Sequence, residues 1–332
     1  MPGSGGRSSS GSTIWLADGA ALPPASDVDV VVVTAREEPP PKLGKFRYRG
    51  VLLEVTYLSW GQLASAEEVL ASYHLAGSFR TDTIIADPTG HLGRLHAQVA
   101  GGFAELVWVR RRCEAARHKI EHGLRAIDAS APLHDQVTAW LFPTGVTTHV
   151  LLVAALRNPT VRLRYLAARQ VLVDYGHSSV YPELLQLLGC ARLARHQVQR
   201  HLRELARTFD ATAAVARTPF FFSGDITPAA RPVAIGGSQH LIDRGCHREA
   251  VFWMVATFAR CHKILAADGP QGLQHALAPA FEATVADLGI TSTDDILRRA
   301  DDVTSFLPRL WETTEAILSA NPGISSRDPA CP

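Results

Sequence analysis

Cysteine is sparse, and its spacing is uninformative in a useful way. The 332 residues hold five cysteines, none arranged as Cys-x-x-Cys. That excludes a disulfide framework or a cysteine zinc site, and it predicts reduced thiols in a cytoplasmic protein. An excess of one charge is also lacking. The formal net charge is +1 and only 20% of residues are charged, so no nucleic-acid partner is expected from the overall balance. No apolar run approaches the ~20 residues needed to span a bilayer, and the Gly/Ser-rich start has no apolar signal core. No membrane partner is expected. Internal repeats and sustained heptads are absent too, which excludes a solenoid or a long coiled coil.

What is present begins with two carboxylates inside a run of valines, Ser26-Asp27-Val28-Asp29-Val30-Val31-Val32-Val33. Successive strand side chains alternate, so Asp27 and Asp29 share one face about 7 Å apart along the chain. A strand this apolar is buried on both sides, and two like charges facing one spot there repel unless a cation lies between them. A divalent ion bound through carboxylate oxygens meets that demand. A second apolar run, Val51-Leu52-Leu53-Glu54-Val55-Thr56-Tyr57-Leu58, carries a lone acid, and Gly11-Ser12 precedes the first pair.

Gly-Ser, then Asp-x-Asp in an apolar strand, then a third acid on the next strand resembles the nucleotidyltransferase superfamily of the DNA polymerase β type. Aminoglycoside nucleotidyltransferases belong to it. By that resemblance Gly11 and Ser12 would hold the nucleotide phosphates. Asp27 and Asp29 would ligate Mg2+, and Glu54 would be the third acid, completing the metal site or acting as base. The reaction implied is transfer of a nucleoside monophosphate from a nucleoside triphosphate, ATP being the expected one, to a small-molecule hydroxyl acceptor with release of pyrophosphate. Two other readings are carried with it: a degenerate relative that only binds, and an antitoxin-like enzyme that modifies a protein or RNA. A homodimer is compatible with any of these.

The chain divides by pattern. Residues 1–10 are Gly/Ser-rich and are expected to be a disordered tail, so the apolar first strand of that family has no counterpart in the sequence. Residues 11–100 are expected to form the catalytic domain. Between its two acidic strands, residues 34–49 contain Pro39-Pro40-Pro41 and read as an exposed connection; its basic tail of Lys42, Lys45, Arg47 and Arg49 lies beside the expected site and could meet triphosphate, with a solvated loop the favoured expectation. A short strand is expected at 83–86, with Asp87 forming the turn after it.

From His91 onward apolar residues recur at helical spacing, and residues 101–320 are expected to form an all-α domain, followed by a tail at 321–332. Helices are predicted near 91–105, 107–127, 132–141, 147–156, 160–175, 180–188, 191–209, 228–244, 247–267, 273–288 and 293–320. Glu121 is the candidate for a base supplied from this domain. The loop around Phe220-Phe221-Phe222 is too apolar to stand in solvent, and packing it down would bring Asp225 to the border of the cleft. The predicted fold class is α+β, a small mixed sheet followed by a helical domain.

Overall fold

The structure, a computed structural model, describes residues 4–10 by their backbone and residues 25–157 and 161–325 in full. A mixed sheet at the N-terminal end is followed by a mostly helical region, an α+β arrangement as predicted. The sheet contains β1 (Ser4–Ser10), β2 (Val28–Thr34), β3 (Gly44–Tyr48), β4 (Val51–Ser59) and β5 (Ile84–Ala86). Their order is β3-β4-β2-β1-β5. β2 and β4 run parallel, while β1 is antiparallel to β2 and β3 to β4.

Two segments depart from the sequence expectation. Residues 4–10 were expected to be disordered, yet they form β1 alongside β2. The apolar β2 has a second edge whose amides and carbonyls need partners, and main-chain pairing asks for no particular side-chain pattern, so a Gly/Ser run can supply it. Residues 44–48 were expected to lie in an exposed connection, yet they form β3. The prolines at 39–41 precede the ladder and do not interrupt it. Arg49 and Gly50, both at positive φ, close the tight turn from β3 to β4.

The helices are α1 (Ala66–Ala71), α2 (His91–Gly102), α3 (Leu106–Arg125), α4 (Leu133–Ala154), α5 (Arg164–Asp174), α6 (Val180–Leu187), α7 (Arg195–Val215), α8 (Gly237–Asp243), α9 (His247–Asp268), α10 (Gln271–Ala286) and α11 (Thr293–Ala320). A small core joins Val33 of β2 to Leu63, to Val69 and Leu70 of α1, to Phe79, and to Leu92, Leu95 and Val99 of α2. The main core lies among the later helices, around Trp140, Phe252 and Phe258.

α4 merges the two helices predicted on either side of Pro143. The proline costs a backbone hydrogen bond, but the ring is clamped by α3. A Cβ at Gly123 would sit 2.6 Å from Pro143 Cγ, so Gly123 is what lets the two helices close. Nearby hydroxyls bond back to carbonyls, with Thr144 donating to Trp140 at 2.7 Å and Thr148 to Gly145 at 2.7 Å. α4 and α9 are long and apolar enough to cross a membrane by length and composition, and 78% and 67% of those windows are buried within the fold. Residues 136–156 carry no Asp, Glu, Lys or Arg. Threonine, glycine, glutamine and histidine interrupt the apolar residues of that stretch.

Candidate functional site

Ladder register assembles the site. In the parallel pair Asp29 stands opposite Glu54, and in the antiparallel pair Lys45 stands opposite Glu54. Lys45, Glu54 and Asp29 therefore form one row across β3, β4 and β2. Asp27, two residues before Asp29, joins them from the same face. One carboxylate oxygen each from Asp27, Asp29 and Glu54 lies within 4.8 Å of the others. The three acids singled out in the sequence are thus brought together. Gly11 and Ser12 lie outside the described residues, although β1 ends with Ser10 opposite Asp29.

The lysines depart from the favoured expectation of a solvated loop: Lys45 is buried, and Lys42 is only partly exposed. Lys45 donates to Asp27 and, at 2.6 Å, to Glu54 Oε2, and its side chain is only 6% exposed. Lys42 pairs with Glu54 Oε1. Both ammonium groups stand 3.7 Å from Asp225 Oδ1. The physical reason is the β3 register: alternation from Gly44 aims Lys45 at the acids, and only the ladder discloses that.

The helical region closes the site from above. Asp225 belongs to a 3-10 turn, Ser223–Asp225, held down by buried Phe222 and Ile226, as the apolar loop predicted, although Phe221 itself is exposed. That turn touches the sheet backbone to backbone. Gly44 has φ +81, and a Cβ on Gly224 would lie 2.3 Å from Gly44 Cα, so no side chain fits between them. Arg260 of α9 donates to Asp225 at 2.8 Å. Its guanidinium lies 5.2–5.3 Å from the ring centroids of Phe142, Phe222 and Trp253, a boxed cation. Arg162 donates to the Ala25 carbonyl at 3.1 Å.

These groups line a cavity of about 410 Å³ between sheet and helices, with His74, His149, Phe142 and Trp253 on the helical wall. A larger hollow of about 640 Å³ lies against α6 and α11, lined by Glu183, Arg298, Arg299 and Asp302 among others, and has no acid cluster of this kind. Glu121 is not in the cavity. It bonds Arg117 at 3.0 Å along α3, a surface pair at helical spacing. Asp87 serves its turn, accepting from Gly93 N at 2.8 Å.

The electrostatics follow from this packing. Burial, then the Asp27 and Glu54 charges, push the Asp29 carboxyl up to about 7, with Lys45 and Lys42 opposing. Burial pulls the Lys45 ammonium down, but Glu54, Asp27 and Asp225 outweigh it and hold it above the usual lysine range. Burial, aided by Arg164 and His74, lowers His149 to about 3, so it is neutral at pH 7. The Asp29 carboxylate makes no hydrogen bond or ion pair among the described residues. A cluster of hard oxygen donors with one unpaired member suits a hard divalent ion such as Mg2+. Comparison of the chain with protein-family models and with curated proteins finds no match.

Proposed function

We propose that the protein is a magnesium-dependent nucleotidyltransferase, moving a nucleoside monophosphate from a triphosphate to a small hydroxyl acceptor. The observation that supports this best is the ladder-set cluster of Asp27, Asp29 and Glu54 at the floor of a cavity between the sheet and the helices. β1, antiparallel to β2, is a counterpart for the first strand that the resemblance requires. Asp27 and Asp29 hold the metal. When bound, the metal neutralises phosphate charge and lowers the pKa of the acceptor hydroxyl.

The chain's own cations do the rest of the binding. Lys42, Arg162 and Arg260 all face the cavity and suit the triphosphate, Arg260 with its position fixed by Asp225 and three rings. Glu54 is paired through Oε2 with Lys45 and through Oε1 with Lys42, so it closes the acid cluster, and its Oε1 is open to the acceptor proton once Lys42 turns to the phosphates. The acceptor lies against the helical wall, where Phe142, Trp253 and the neutral His149 present a largely uncharged surface. The cytoplasm is the compartment this reading implies.

The test is thermal melting with ATP, GTP, CTP and UTP, each with and without Mg2+. A ligand at a hundred times its Kd adds about 2.7 kcal/mol to the folded state. A magnesium-dependent rise with one triphosphate, lost in Asp27→Asn/Asp29→Asn, is the expected result. No rise with any triphosphate, or a rise untouched by the double variant, refutes the reading. One observation favours a second reading, a degenerate relative that only binds: ammonium groups already sit on Asp27 and Glu54. That reading predicts a nucleotide-dependent rise without Mg2+ and no pyrophosphate release.

A further inference from the structure

We propose that Lys45 is a resident cation of the acid cluster: its ammonium stands where a divalent ion would otherwise bridge Asp27 and Glu54, so the site takes one divalent ion and not two. The inference rests on the nucleotidyltransferase reading only in taking the cluster as a metal site.

Three features of the structure carry it. The first is position. Lys45 donates to Asp27 Oδ2 and to Glu54 Oε2, the two acids farthest apart in the ladder scheme, while the Asp29 carboxylate has no partner among the described residues. The open ligand positions are therefore on the Asp27–Asp29 side.

The second is rigidity. Lys45 is inside β3, directly opposite Glu54. The preceding Gly44 is wedged against Gly224, so the strand cannot shift to withdraw the side chain. Lys42 differs. It precedes the strand, and its side chain is 26% exposed, so it is free to swing onto an incoming phosphate.

The third is charge. Asp27, Asp29, Glu54 and Asp225 line the cavity together with Lys42, Lys45, Arg162 and Arg260, four acidic side chains beside four basic ones. Without nucleotide, two divalent ions added to it would leave twice the excess positive charge of one in a poorly solvated space. A compact ammonium with three donors can stand between two carboxylates as an ion would, but it cannot lower a hydroxyl's pKa as a second metal does.

The experiment counts bound Mn2+, a hard ion with a spin-resonance signal, on the full chain. Wild type is expected to bind one equivalent, Lys45→Met two, and Lys45→Arg one because the charge is kept. Two equivalents on wild type overturn the proposal, as does a Lys45→Met chain that binds no more than wild type. Should Lys45→Met lose its fold without metal, excess Mn2+ is expected to restore it by replacing the missing cation, and a variant still unfolded in Mn2+ overturns the proposal as well. The outcomes separate from the broader reading. A chain that binds one Mn2+ but transfers no nucleotide refutes nucleotidyl transfer and leaves the role of Lys45 intact.

Discussion

The seat between Gly44 and Gly224 is the contact on which the composite site depends, and Gly224→Ala tests it. A Cβ there would lie 2.3 Å from Gly44 Cα, whereas carbon atoms rest at about 3.5–4.0 Å. Gly44 cannot retreat, because it pairs with Val55 in the ladder and has φ +81. The turn carrying Asp225 must therefore lift by more than about 1 Å. Asp225 Oδ1 is 3.7 Å from both lysine ammonium groups, so that lift takes it out of ion-pair range. Overpacking of this kind costs about 1–3 kcal/mol, against a gain of about 0.4–1 kcal/mol from a less flexible unfolded chain. A net loss of roughly 0–2.6 kcal/mol is expected, set against the gain in the control below. Urea denaturation measures it as a lower midpoint at unchanged slope. The control is Gly272→Ala in α10, where a Cβ meets nothing within 4 Å and stability should rise by about 0.5 kcal/mol. If Gly224→Ala is as stable as that control, the two backbones are not in contact and the site is not closed as described.

Two further outcomes follow from the same geometry. Arg260 is 8% exposed and holds Asp225 at 2.8 Å, so Arg260→Met should cost about 3 kcal/mol, the lower part of the range for breaking a buried pair, because Lys42 and Lys45 still face Asp225. In a double-mutant cycle with Asp225→Asn the pair should couple by more than about 1 kcal/mol, and additive losses would sink the idea of a paired anchor. His149 tests the pH dependence of folding. Burial holds its folded pKa at about 3, below the unfolded value near 6.5, so as pH falls the unfolded chain takes up the proton first. Stability is complete above about pH 6.5 and falls by about 1.4 kcal/mol per pH unit on the way down to the folded value. Urea midpoints at pH 7 and pH 5 should show this slope reduced by that amount in His149→Gln. An unchanged slope in the variant would mean that His149 is not buried as a neutral ring.

Much of this architecture was readable from local pattern. Asp27 and Asp29 had to share a face because strand side chains alternate, and the succession of helices after His91 was visible in the 3.6-residue recurrence of apolar positions. The apolar loop at Phe220–Phe222 was expected to pack down, and Phe222 does while Phe221 stays 79% exposed; Asp225 comes to the cleft with Phe222. Such inferences need only neighbours in sequence. β1 was not readable, because main-chain pairing on the edge of β2 leaves no mark on a Gly/Ser run. α4 was read as two helices, because the residue that makes Pro143 tolerable is Gly123 on α3.

The chemistry of the site divides along the same line. Sequence alone placed Asp27 and Asp29 on one face of an apolar strand, in need of a compensating cation, and a lone acid, Glu54, on a second apolar strand. Tertiary structure alone decided which cations stand beside them. Strand register set Lys45 and Asp29 on either side of Glu54, and a glycine-to-glycine contact brought Asp225, with Arg260 behind it, over the row. Alternation and periodicity are properties of one segment, whereas register and close approach are relations between segments, fixed only when the backbones meet.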